Sequence, residues 1–155
     1  LMAAATVGAY FGIPWEDIRA GLKHYKPANQ RSQELEWQGH HVLLDAYNAN
    51  PSSMRVAVEH FAQRPRMPKV LILGDMLELG SVAAEEHRLI LDLIHAHHWS
   101  QVFLVGTLFS ELAEDYQAFI SVPEMQKTSW KESLQPGSWI LVKGSRGIGL
   151  EKLLE

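Results

Sequence analysis

The chain has 155 residues, 46% of them hydrophobic and 21% charged, the composition of a folded globular protein with room for one well-packed domain and a fragment of another. A net charge of -4 excludes a global attraction for nucleic acid, so any anionic ligand has to be met by a local cluster of Lys and Arg. With no cysteine there is neither a disulfide framework nor a thiolate metal site, and no apolar run approaches the ~20 residues that cross a bilayer, so a soluble, cytoplasmic protein is expected.

The opening stretch, "LMAAATVGAYFGIP", favours helix from residue 1 with no cap ahead of it, and reads as a start inside a helix. Pro14 can begin a second helix with Trp15, Ile18 and Leu22 on one stripe. "KPANQRSQ" is polar and contains Pro27, as a linker between domains does. Residues 1–28 are therefore expected to be the helical tail of a truncated domain, and 29–155 a second domain.

Beyond the linker, strands alternate with helices. "ELEWQGHHVLLDAY" reads as two strands around a turn near Gly39, the second with the apolar run Val42 to Leu44 of a buried strand. Pro51 to Gln63 reads as a helix with Met54, Val58 and Phe61 at helical spacing. "KVLILGD" (69–75) is a buried strand, and "SVAAEEHRLILDLIHAHH" (81–98) the longest helix, its acidic first turn and His-rich last turn complementing the helix dipole. "QVFLVG" (101–106) is another buried strand, followed by a short helix through Leu108, Leu112 and Tyr116. "AFIS" is a weak strand, "PEMQKTSWKESL" (123–134) a helix opened by Pro123, "SWILVKG" (138–144) the last strand, and Leu150 to Glu155 the start of a final helix. The alternation predicts an α/β fold, a mainly parallel sheet covered by helices on both sides in three α/β/α layers, with an antiparallel strand near its N-terminal side. Such folds bind ligands at the carboxyl ends of the strands, where strand order reverses.

In "LLDAYNANPSSM" (43–54), an acid closing a strand can accept hydrogen bonds from ribose hydroxyls, and a carboxamide offers adenine a donor and an acceptor side by side. Asp45 and Asn48 are the candidates; Asn50, followed by Pro51, reads equally as a helix cap. In "LILGDMLELG" (71–80), Asp75 and Glu78 either meet a ligand's ammonium group or stand in water on an apolar loop. Gly106 and Thr107 offer only a turn and a helix cap. In "ILVKGSRGIGLEK" (140–152), Lys143, Ser145 and Arg146 lie among glycines that let backbone amides converge on an anion, with a helix start beyond; the alternative is a Gly-rich turn with solvated charges. Nothing matches the Walker A pattern. His95, His97 and His98 diverge around a helix and are read as cations at its C-terminus rather than zinc ligands. Trp99 and Trp139 are read as core anchors.

"DAYNANPSSM", "LGDMLELG" and "LVKGSRG", in this order and spacing, resemble the C-terminal third of the Mur ligases, and within them the branch that adds D-alanyl-D-alanine. "GIPWEDIRAGLKHYKPANQRSQ" resembles the end of that family's central ATPase domain and its linker, so the resemblance covers nearly the whole chain. It implies a Rossmann-like domain of an ATP-dependent amide-forming ligase of peptidoglycan synthesis. That ligase activates the carboxylate of a UDP-linked muramoyl tripeptide as an acyl phosphate, which the amine of D-alanyl-D-alanine attacks. It also implies Arg31, Asp45, Asn48 and Asn50 toward ATP, and Lys143, Ser145, Arg146, Asp75 and Glu78 toward the dipeptide or the acyl phosphate. The family's phosphate-binding loop, Mg2+ ligands and modified lysine belong to the central domain, so this chain alone is not expected to catalyse the reaction. "GSRGIG" departs from the family in Ile148 and Gly149, which bears on the helix start there.

Two other classes remain open on the residues. A phospho-receiver-like module would use Asp45, Asp75 and Lys143, but such domains cluster two acids after the first strand, where this chain has one acid and two amides. A folylpolyglutamate-type ligase shares the fold and is expected to show Gly-Ala-His after the Asp, where this chain has Ala46, Tyr47 and Asn48.

Overall fold

The computed structural model describes residues 2–24 and 32–155. Arg31 and most of the expected linker lie outside the described residues. Helix α1 (Met2–Tyr10) and helix α2 (Trp15–His24) form the opening pair, with Ile18 buried and Trp15 68% exposed, so the expected stripe holds at Ile18 and fails at Trp15.

The sheet begins with a hairpin. Gln38 and Gly39 both take positive φ (+49° and +81°), the two-residue turn whose twist matches that of paired strands, and it joins β1 (Gln33–Trp37) to β2 (His40–Asp45) with Trp37 opposite His40. The chain then runs α3 (Pro51–Gln63), β3 (Lys69–Gly74), α4 (Ala83–His95), β4 (Gln101–Val105), α5 (Thr107–Leu112), β5 (Gln117–Phe119), α6 (Val122–Met125) and β6 (Trp139–Lys143). Among the described residues the strands form one sheet in the order β1-β2-β6-β3-β4-β5; only the β1 pairing is antiparallel.

Successive strand residues point to opposite faces, and both faces are covered. Leu71, Leu73, Leu104 and Leu141 pack against Met54, Val58 and Phe61 of α3, Ile90 and Ile94 of α4, and Phe109 of α5. Val70, Ile72, Phe103, Val105, Ile140 and Val142 pack against Val122 and Met125 of α6, Trp130, Leu134, Leu150 and Leu153. The result is the three-layer α/β/α, Rossmann-like arrangement the alternation predicts. No helix among the described residues is long and apolar enough to cross a membrane.

Several predicted helices are shorter than periodicity suggests. Helix α4 ends at His95 because the Trp99 indole donates to the Ile94 carbonyl (2.9 Å), the acceptor a further turn would need; His97 and His98 lie beyond it. The segment 123–134 is helical only to Met125. Thr128 and Ser133 hydroxyls take the Met125 and Trp130 carbonyls (2.8 and 2.7 Å), and Trp130 turns inward to stack on Trp37 with ring centroids 5.7 Å apart. The helix after β4 stops at Leu112, before Tyr116, and Leu150–Leu154 is a 3-10 helix.

Candidate functional site

From β2 the chain crosses to β3 and leaves a slot that β6 fills last, so strand order reverses around β6. In the parallel register Lys143 has Asp45 on one side and Leu73 on the other. Three loops therefore meet at one end of the sheet: 45–50 after β2, 75–80 after β3 and 144–149 after β6. These loops carry the residues predicted to bind ligands, apart from Arg31 and from Lys143, which ends β6.

The first loop is fixed by two devices. Asn50 is the N-cap of α3: its side-chain oxygen accepts from the Ser53 amide (2.9 Å), the Ser53 hydroxyl accepts from the Asn50 amide (3.1 Å), and Pro51 follows in the first turn. Asn50→Ala should lower the unfolding free energy by about 1 kcal/mol, read from the midpoint of a urea transition. Lys143 holds the other end. Its ammonium, 1% exposed, donates to Asp45 Oδ2 (2.6 Å) and to the Asn48 carbonyl (3.2 Å), while Asp45 Oδ1 accepts from the Ser32 amide (3.2 Å). Two residues expected on different ligands thus form one ion pair. The Asn48 side chain is exposed at the strand-end surface.

The loop after β3 departs from expectation. Asp75 is 3% exposed, and its two oxygens accept from the Leu108 and Phe109 amides (both 2.9 Å), capping α5 from a distance. That leaves its carboxylate facing a helix start rather than a ligand's ammonium group, and unavailable for the phosphoryl transfer a receiver domain requires. Gly106 makes the approach possible: its φ is +131°, and a Cβ there would stand 2.2 Å from Asp75 Cγ. Glu78 is exposed, at φ +65°, beside Leu77.

His87 went unnoticed in the sequence. It is fully buried, its Nδ1 lies 2.7 Å from the Ala83 carbonyl, and its Nε2 accepts from the Met76 amide (3.1 Å). This pattern assigns the neutral tautomer with the proton on Nδ1, so the 3.5 Å approach of Nε2 to Asp75 is not an ion pair. His87 thereby anchors the start of the 76–80 loop to α4. The available signal was its place on the buried stripe of His87, Ile90, Leu91 and Ile94.

The third loop ties the other two together. Ser145 is 5% exposed; its hydroxyl accepts from the Leu77 amide (2.9 Å) and stands 3.4 Å from the Ala49 carbonyl, and its own amide donates to the Asp75 carbonyl (3.2 Å). Arg146 is exposed, with its guanidinium carbon 5.5 Å from the centroid of the Tyr47 ring. Gly144 serves close packing rather than an anion: a Cβ would lie 2.9 Å from Gly74 Cα and from Leu150 Cδ1. The expected helix start beyond it is replaced by 3-10 turns at 146–148 and 150–154, too short for a substantial dipole. Elsewhere, burial and then the Asp115 carboxylate hold the Tyr116 phenol above its usual pKa, and its hydroxyl meets His95 Nδ1 at 3.0 Å.

What faces solvent at this end of the sheet is Asn48, Glu78 and Arg146, with the partly exposed edge of Asp45; what lies beneath is Lys143, Ser145, Asp75 and His87. Acceptors, a carboxamide and a guanidinium on one rim suit a ligand with hydroxyl, base and anionic groups.

The Mur ligase, glutamate ligase domain family matches residues 30–146. The UDP-N-acetylmuramoyl-tripeptide--D-alanyl-D-alanine ligase of Treponema pallidum (strain Nichols) is 34% identical over 161 residues, covering 98% of this chain and 35% of that protein. The ligase of the same name from Bacillus subtilis (strain 168) is 34% identical over 164 residues, covering 99% and 36%. The chain thus spans about a third of the length of these relatives. Among solved structures, MurF from Acinetobacter baumannii superposes with a TM-score of 0.78 at 28% identity, over 92% of this chain and 33% of that one. Two more share the fold: the Thermotoga maritima MurF ligase in complex with ADP (TM-score 0.71, 22% identity, 96% and 34% covered), and a Yersinia pestis bifunctional folylpolyglutamate synthase/dihydrofolate synthase (0.62, 19%, 90% and 34%).

Proposed function

The chain belongs to the Mur ligase family, and from that premise we propose that it is the C-terminal domain of an ATP-dependent ligase that adds D-alanyl-D-alanine to the UDP-N-acetylmuramoyl-tripeptide precursor of peptidoglycan. The observation that carries this is the 34% identity, over nearly the whole chain, to two ligases of that name. The enzyme is cytoplasmic and serves cell-wall growth and division.

In the proposed reaction the tripeptide carboxylate takes the terminal phosphoryl group of ATP to give an acyl phosphate and ADP. The dipeptide amine attacks the acyl carbon, phosphate leaves and an amide forms. This domain's share is binding and orientation. Asp45 accepts from the ribose hydroxyls, Asn48 faces the adenine edge and Arg31 reaches ATP; that the Thermotoga maritima MurF ligase was solved in complex with ADP supports nucleotide use by the whole enzyme. Arg146 meets the anionic end of the dipeptide or the acyl phosphate, and Glu78 the dipeptide's ammonium group before it is deprotonated for attack. Asn50, Asp75 and Ser145 shape the loops that present these groups. Among the described residues no group of three His, Asp or Glu side chains could hold a metal ion; the Mg2+ and the phosphate-binding loop belong to the rest of the enzyme.

Residues 1–28 are, in this proposal, the tail of the central ATPase domain and the linker. Tyr10, Phe11 and Trp15 at 84%, 75% and 68% exposure form the kind of apolar surface that a partner normally covers. The full-length protein, given ATP, Mg2+ and the UDP-linked tripeptide, should release phosphate with D-alanyl-D-alanine at least ~100-fold faster than with L-glutamate, the preference expected where an unmatched site leaves polar groups unpaired. Faster release with L-glutamate and a folate acceptor would favour the folylpolyglutamate-type alternative instead.

A further inference from the structure

We propose that Lys143 is a positioning residue for Asp45, acting on nucleotide affinity through that carboxylate rather than touching the dipeptide. The proposal rests on the ligase reading in one respect, the assignment of Asp45 to ribose.

Lys143 sits on β6 between the ends of β2 and β3, with 1% of its surface exposed. Its ammonium therefore does not reach the strand-end surface where a substrate would stand. It turns toward β2 and spends two of its three N–H groups there, on Asp45 Oδ2 at 2.6 Å and on the Asn48 carbonyl at 3.2 Å. The Asp45 side chain is 23% exposed, so part of its carboxylate is open to solvent. A carboxylate has about four acceptor positions, and Lys143 and the Ser32 amide occupy two, so a ligand hydroxyl can bind without displacing either.

One buried ammonium thus fixes the rotamer of the carboxylate and the path of the loop that carries Asn48. Both nucleotide-facing groups hang from it. Arg146 and Glu78, the residues proposed for the dipeptide side, are exposed on the neighbouring loops. Removing the lysine alone leaves Asp45 unpaired at 23% exposure, which costs stability, so each variant is checked for folding before its affinity is read.

The test uses the full-length enzyme, with ATP affinity measured by isothermal titration and the KM for D-alanyl-D-alanine measured separately. Lys143→Met should weaken ATP by roughly 10- to 100-fold, the loss of one charge-assisted contact, and leave the dipeptide KM within about twofold. In an Asp45→Ala background the same change should weaken ATP by clearly less than in the wild type, because the carboxylate route is cut and only the Asn48 carbonyl contact remains. If Lys143→Met does not fold, Lys143→Gln, which keeps one N–H for Asp45, should show the same separation with a smaller loss. A raised dipeptide KM with unchanged ATP affinity, or effects that multiply in the double variant, would overturn the assignment. Wild-type turnover tests the ligase reading independently: an enzyme that makes no dipeptide adduct, while Lys143→Met still weakens ATP as stated, contradicts that reading and supports the Lys143–Asp45 assignment.

Discussion

Asp75→Ala should lower the unfolding free energy by about 3–6 kcal/mol, from two charge-assisted hydrogen bonds worth ~1.5–3 kcal/mol each. The carboxylate is buried and its two oxygens serve the Leu108 and Phe109 amides. Alanine leaves both amides at the first turn of α5 without a partner, the Phe109 amide buried and the Leu108 amide part-buried. Asp75→Asn keeps one acceptor and should lose about half as much. Chemical unfolding monitored by tryptophan fluorescence separates the outcomes, and a loss below about 1 kcal/mol for Asp75→Ala would contradict the capping role, since a solvated loop acid is worth no more than that.

Gly106→Ala should cost a comparable amount, about 2–5 kcal/mol, from overpacking (~1–3 kcal/mol) together with a left-handed backbone position (~1–2 kcal/mol). A Cβ would stand 2.2 Å from Asp75 Cγ and 2.4 Å from Oδ2, so the carboxylate must leave the α5 amides to make room. The two substitutions therefore share a mechanism, and their effects should not add. Gly106→Ala/Asp75→Ala should be less destabilised than the sum of the single variants by at least ~1 kcal/mol, because removing the carboxylate removes the clash. Full additivity would mean the two positions act separately. The consequence reaches the site: Asp75 and His87 together fix where the 76–80 loop leaves the core, and Glu78 rides on that loop.

The strands and the faces of the helices were legible because burial writes its period into the sequence. Val70 to Leu73 reads as a two-sided strand, and Met54, Val58 and Phe61 read as the inner stripe of α3. Asn50 before Pro51 was legible as a cap because capping is local. The destination of Asp75 was not, since its partners lie 33 and 34 residues away and an acid at a strand end looks the same whether it faces solvent or the start of the next helix. Lys143 and Asp45 are 98 residues apart, and their pairing follows from β6 entering between β2 and β3, an order that no local pattern encodes. The overlong reading of 123–134 has a different cause: Pro123 opens a helix as expected, but the pull of Trp130 toward Trp37 and the hydroxyls of Thr128 and Ser133 favour turns.

The central claim is that this chain supplies the rim of a composite site whose ATPase machinery lies elsewhere in the same protein. Amide formation should be followed by mass spectrometry with ATP, Mg2+, UDP-N-acetylmuramoyl-tripeptide and D-alanyl-D-alanine, comparing the 155-residue chain with the full-length protein. The UDP-linked pentapeptide is expected from the full-length protein and none from the 155-residue chain. Pentapeptide formed by the 155-residue chain alone, or none from a folded full-length protein that binds ATP, would contradict that claim.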